Sequence, residues 1–196
     1  EYIKQLPSSE NLGTSLPTVT GMLKRMTRDH LITKDKNNEI FLTEYGKISA
    51  KEQTKRFRLA SKFLHEILKI KLEDVFQEAH RLEHAMSQDV ENSIDKLLDY
   101  PNKDPFGQTI PGIKFIGNEN NFPLINTIVN ASYIIAKIPP ENPEFVEFLN
   151  KNKVLPGNKI LITELSVTRG IITIKINKTT VDLGLNIAKT IWVKNI

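Results

Sequence analysis

The chemistry in this sequence is concentrated in one short stretch, Glu78-Ala-His80-Arg-Leu-Glu83-His84-Ala-Met-Ser87. Residues three and four apart on a helix are neighbours, so His80, Glu83 and His84 converge on one point if the stretch is helical. Two imidazoles and a carboxylate are the nitrogen and oxygen donors that a first-row divalent cation takes from a single element. A solvated charged face is the plainer use of the same three residues. The His-x-x-Glu-His spacing is also that of inverted zinc metallopeptidases, where both His bind zinc and the Glu acts as base. Such an enzyme needs a substantial cleft-bearing scaffold, and this chain spends its two outer thirds on other modules. His30 and His65 have no partner pattern and read as ordinary surface or packing residues.

Three helices are expected to position the cluster. The residues from Glu73 to Met86 carry it, with Glu73 and Asp74 suited to a helix N-terminus. From Ile48 to Leu68, the residues Phe57, Ala60, Phe63, Leu64, Ile67 and Leu68 repeat on one face. Ser87 reads as the N-cap of a third helix running to about Tyr100. Its apolar stripe of Val90, Ile94, Leu97 and Leu98 needs a cover, and self-complementary pairing of two copies supplies one.

The chain has 196 residues, room for one large domain or two to three small ones. It has no cysteine, which excludes disulfides, thiolate chemistry and Cys-type zinc sites. No apolar run is long enough to span a membrane and no signal-peptide pattern is found, so a cytoplasmic protein without a membrane partner is expected. Charge is uneven: residues 1–72 hold 14 Lys and Arg against 8 Asp and Glu, whereas residues 73–196 hold 13 against 15. A basic first third on a near-neutral remainder suggests a polyanion-binding module attached to something else.

That first module, residues 1–47, is punctuated as a winged helix-turn-helix. Gly13 permits a bend, Ser15 is a good N-cap and Pro17 suits a first helical turn. Val19, Met22, Leu23 and Met26 then recur as a buried stripe, leaving Thr18, Thr20, Lys24 and Arg25 on the opposite face. A β-hairpin with a basic tip follows, spanning Leu31 to Thr43. In such a module the helix reads base edges in the major groove while the hairpin meets phosphates. Lys34 and Lys36 are therefore expected to position the protein on duplex DNA, and Ser15, Thr18 and Thr20 to read or brace against bases.

The C-terminal third changes period. Short β-branched runs at Ser132–Ile138, Lys159–Thr163, Ile171–Ile176 and Thr190–Val193 are parted by Pro140, Pro156-Gly157 and Gly170. That is the pattern of a compact antiparallel barrel. Phe145–Asn150 reads as a brief helix, and residues 113–131 as a polar linker. The fold class expected is α+β: the winged module, a helical metal-binding and dimerisation domain over 48–112, and a β domain over 132–196.

The run from Glu78 to Ser87 and the segment Asp99-Tyr-Pro-Asn-Lys-Asp-Pro-Phe-Gly-Gln-Thr-Ile-Pro-Gly112 resemble the diphtheria toxin repressor family of iron- and manganese-dependent transcriptional repressors. Leu16-Pro-Thr-Val-Thr-Gly-Met-Leu-Lys-Arg-Met26 is similar to its recognition helix, and Leu42-Thr-Glu-Tyr-Gly46 to the close of its wing. Val154-Leu-Pro-Gly157 and Leu183–Ala188 resemble the SH3-like (FeoA-like) domain that ends longer members. The resemblance implies a homodimeric repressor that binds operator DNA when loaded with Fe²⁺ or Mn²⁺, has no small-molecule substrate and controls genes of metal homeostasis. Co²⁺, Ni²⁺ and Zn²⁺ are expected to substitute in vitro. Glu83 and His84 correspond to paired metal ligands, His80 to a position held by Cys or Glu, and Glu1 to a ligand from the first helix. Members often hold a second metal between the helices, and the matching positions here are Phe57, Ser61 and Phe76. The two Phe cannot ligate, so that site is expected to be absent or rebuilt. Glu141 or Glu144 corresponds to a further carboxylate donor from the β domain. Lys4 falls at another ligand position and would repel a cation. The chain opens on Glu1, not methionine, so the sequence is expected to begin inside the protein, and the connection Gln5-Leu6-Pro7-Ser8, far shorter than the family's, reads either as an omitted stretch or as a truncated first helix.

Overall fold

The computed structural model describes residues 16–112 and 120–196, which form two compact units divided after Thr54. Glu1, Lys4 and Ser15 lie outside the described residues, as do the side chains of Pro17 and Thr18.

The first unit contains α1 (Leu16–Arg28), the hairpin of β1 (Ile32–Lys34) and β2 (Ile40–Leu42), and the beginning of α2 (Glu44–Glu66). The hairpin is in register with Thr33 opposite Phe41. Asp35 closes its turn, Oδ1 accepting from the backbone N–H of Asn37 and of Glu39 at 2.8 Å each, with Asn38 in the left-handed region at φ 59°. Helix α2 starts four residues before the expected Ile48. Its N-terminus is fixed by Thr43, whose Oγ1 accepts from Gly46 N–H at 2.9 Å and donates to the His30 carbonyl at 2.6 Å. The stripe expected on α1 is only partly covered: Val19, Leu23 and Met26 are half-buried, while Met22 is 43% exposed. The described part of this unit, one helix, a hairpin and a helix end, is too little to enclose a core.

In the second unit α2 continues to Glu66 and is followed by α3 (Leu72–Ala85) and α4 (Gln88–Leu97). Ser87 does cap α4, its Oγ accepting from Val90 N–H. A helical core gathers Leu59, Ala60, Leu64, Ala79, Met86, Ile94 and Ile110. Leu59, fully buried, belongs to this core although the one-face reading of α2 passed over it, and Ile67 and Leu68 are exposed. The β domain is a six-stranded antiparallel sheet in the order β3-β8-β4-β5-β6-β7. Its strands are β3 (Phe122–Pro123), β4 (Ser132–Lys137), β5 (Lys159–Ser166), β6 (Ile171–Ile176), β7 (Thr179–Gly184) and β8 (Trp192–Asn195). Helix α5 (Pro143–Lys151), capped by Asn142, lies between β4 and β5, and a single turn α6 (Leu185–Ala188) precedes β8. Bulges in β4 and β5 bend the sheet. The sheet begins ten residues earlier than the alternation suggested, inside the expected linker, where Leu124 is fully buried directly after β3. A two-residue strand containing a proline has no period to read.

Two features join the helices to the sheet. Leu72 and Val75 of α3 belong to the sheet's core, and so does Phe106 from the loop after α4. That loop is tied on both sides. Phe106 O accepts from Ile138 N–H at 3.0 Å, Arg58 donates to the Thr109 carbonyl, and Ile110 enters the helical core.

Candidate metal centre and nucleic-acid interface

Helix α3 delivers the cluster as its spacing requires. The ligand atoms of His80, Glu83 and His84 all lie within 4.8 Å of one another, the one such group among the described residues. His80 Nδ1 is 3.0 Å and His84 Nε2 3.8 Å from Glu83 Oε1, and the two imidazole rings meet edge-on at 4.9 Å. Both imidazoles are well exposed, whereas Glu83 retains only 5% of its exposure. Its second oxygen, Oε2, is buried without a hydrogen-bond partner. A buried carboxylate oxygen left unmatched is costly, and a cation bound by the Glu83 carboxylate would offset that cost. The donor set therefore fits a divalent metal on its own geometry.

The other expected ligands are placed differently. Glu141 and Glu144 are exposed at the start of α5 and do not join the cluster. Phe57 of α2 meets Phe76 of α3, and Ser61 is buried one turn along α2 from Phe57. The Phe57 and Phe76 rings meet edge-on at 5.3 Å, and fully buried Ser61 spends its hydroxyl on the Phe57 carbonyl at 2.9 Å.

On the first unit, Thr20 and Lys24 from α1 and Lys34 from β1 line one shallow cavity of about 370 Å³ together with Leu23 and Thr27. Lys36 stands exposed at the hairpin tip. Thr27 was not singled out in the sequence. Its spacing, one turn beyond Leu23, was the available signal, and its hydroxyl donates to the Leu23 carbonyl.

Behind the centre, α4 is fastened to α2 by ion pairs. Glu91, 5% exposed, accepts from Arg56 Nε at 2.9 Å, and Lys55 Nζ bridges Glu91 at 3.4 Å and Asp95 at 2.7 Å. Burial works against the Lys55 charge, but the hydrogen bonds and charges of Asp95 and Glu91 outweigh it and hold the ammonium above its usual value. In the loop after α4, burial pushes the Asp104 carboxyl up to about 6. The backbone N–H groups of Gln108 and Phe106, and the charges of Arg58 and Lys62, pull the other way without prevailing.

The profile described as "Iron dependent repressor, metal binding and dimerisation domain" matches residues 43–112, and the FeoA domain matches residues 122–195. The chain therefore carries two domains in this order, one of the iron-dependent repressor metal binding and dimerisation type and one of the FeoA type. It is 38% identical over 109 residues to the iron-dependent repressor IdeR of Mycobacterium bovis, a match covering 56% of this chain and 47% of that protein. To the diphtheria toxin repressor of Corynebacterium jeikeium it is 31% identical over 155 residues, 75% of this chain and 65% of the relative. The chain thus spans from about half to two thirds of these curated relatives. A solved manganese-dependent transcriptional repressor in complex with manganese superposes with a TM-score of 0.85 at 26% identity, over 96% of this chain and 88% of that one. The repressor ScaR with bound Cd²⁺ gives 0.82 at 28% identity, with 96% and 89% covered. The IdeR and Corynebacterium relatives are named repressors, and the manganese-bound neighbour a transcriptional repressor. No helix among the described residues is long and apolar enough to cross a membrane.

Proposed function

We propose that this chain is a metal-activated transcriptional repressor, working as a homodimer on operator DNA in the cytoplasm, with Fe²⁺ or Mn²⁺ as its activating ion. The observation that carries the reading is the His80, Glu83, His84 cluster with its orphaned Glu83 oxygen. His80 Nδ1, His84 Nε2 and the Glu83 carboxylate would hold the ion, which supplies a positive centre for donors from more than one element. Glu1, outside the described residues, is the donor that the family resemblance assigns to the DNA-reading module. Its recruitment would convert metal occupancy into an ordered reading head. Thr20, Lys24, Lys34 and Lys36 supply the DNA-facing side chains, and the exposed Val90 and Leu97 of α4 fit burial against a second copy. Glu83 lies among the ligands, 95% buried, where a peptidase would need a free base beside a water-filled cleft. We therefore read the chain as a regulator and not an enzyme.

The test is a gel shift with operator DNA and Mn²⁺ or Fe²⁺, comparing the native chain with His84→Ala. The variant should lose metal-dependent binding and keep its dimer. A variant that still responds to metal would remove the cluster from the mechanism.

A further inference from the structure

Phe76 lies four residues before His80 on α3, so the aromatic ring and the imidazole share one helix face a single turn apart. Against that ring packs Phe57 of α2, edge-on at 5.3 Å and 72°. Ser61, one turn further along α2, is wholly buried and its hydroxyl donates back to its own helix at Phe57 O. No atom in this trio is free to ligate a cation: two are hydrocarbon rings and the third has a satisfied, enclosed oxygen. The second metal implied by the family resemblance therefore does not fit these residues.

We propose that the Phe57–Phe76 pair takes the place of a metal ion as the brace between α2 and α3, so that this chain takes up one divalent ion per protomer. The inference rests on the reading of His80, Glu83 and His84 as the cation site and adds the count and the reason for it. A ring pair holds two helices by contact and exclusion of water, whatever the metal concentration. A cation in the same place would hold them only when bound. Joining of the metal helix to α2 is thereby independent of metal here, and the regulatory response is left to a single site.

Equilibrium dialysis of the full chain against Mn²⁺, with metal counted by mass spectrometry, decides the matter. One ion per protomer is expected for the native chain and none for His84→Ala. Two ions in the native chain with one retained in His84→Ala would overturn the brace and leave the proposed function standing. One ion in both would overturn the proposed function instead. The triple substitution Phe57→His, Ser61→Glu, Phe76→His should raise the count to two in protein shown to be folded by circular dichroism. A folded triple variant that stays at one ion would show that the rings do not occupy a place a metal could fill.

Discussion

Arg56 Nε donates to Glu91 Oε2 at 2.9 Å, across the packing of α2 against α4, with the carboxylate almost fully withdrawn from solvent. Removing one member of a buried pair leaves an uncompensated charge, whose cost exceeds the net value of the pair itself. Arg56→Met leaves Glu91 with Lys55 alone at 3.4 Å. Because Lys55 still compensates the carboxylate, urea denaturation should show a loss of about 1–2 kcal/mol, that of a charged hydrogen bond. Pairing the substitution with Glu91→Gln should recover part of it, and a double-mutant cycle without coupling would place the pair among solvent-screened contacts.

Asp104 predicts a pH dependence with a definite sign. Its carboxyl is raised from the usual 3.8 to about 6, so the fold favours the neutral acid. The stability this contributes is fully present below the unfolded value and is lost as pH rises through about 6. Oδ1 accepts both backbone bonds, from Phe106 N–H at 2.9 Å and Gln108 N–H at 2.8 Å, and an asparagine oxygen can do the same. Asp104→Asn should therefore flatten the fall in melting temperature between about pH 4 and pH 7 and gain up to roughly 3 kcal/mol at neutral pH. Parallel melting curves for variant and native chain across that range would refute it.

Gly46, in the first turn of α2, lies against the backbone of Leu31, the residue before β1. A Cβ there would lie 2.0 Å from the Leu31 carbonyl oxygen, which already accepts from Thr43 N–H. Backbone cannot give way as a side chain does, so Gly46→Ala should cost on the order of 1–3 kcal/mol. The damage is confined to the first unit. Operator affinity in a gel shift at saturating Mn²⁺ should fall, and an unchanged affinity would mean that the first unit absorbs the clash.

Lys36 and Thr20 should respond differently to substitution. Under the proposed function a lysine at an exposed hairpin tip would meet phosphate, which carries no sequence information, so Lys36→Ala should weaken all duplexes alike and reduce the salt slope by about one. Thr20 lines the cavity shared by α1 and β1, and Thr20→Ala should alter preference among operator variants. Binding measured over a panel of duplexes and salt concentrations separates the two, and a change of preference from Lys36→Ala would reverse the assignment.

Helix α3 was the most legible part of the chain because its signals agree. Periodicity, the acidic first turn and the Ser87 cap bound α3 and α4 to within a few residues, and i, i+3, i+4 spacing alone brings His80, Glu83 and His84 together. The four β-branched runs likewise became strands. What escaped were elements without a period of their own. Strand β7, Thr-Thr-Val-Asp-Leu-Gly, carries two apolar side chains and owes its place to the ladder with β6. Strand β3 has two residues, and α6 is a single turn. The burial of Glu83 was equally hidden: local spacing specifies which atoms meet, but only the packed neighbours specify how dry the meeting place is.

The loop following α4 puts Phe106 into the core of the sheet and, four residues later, Ile110 into the core of the helices. Neither core can come apart without exposing a residue the other holds in place, so residues 55–196 should melt as one cooperative body. Ligand binding and folding of such a body draw on the same equilibrium. If the proposed function holds, a defect seeded deep in the sheet, far from any imidazole, would surface as a regulator that needs more metal before it responds.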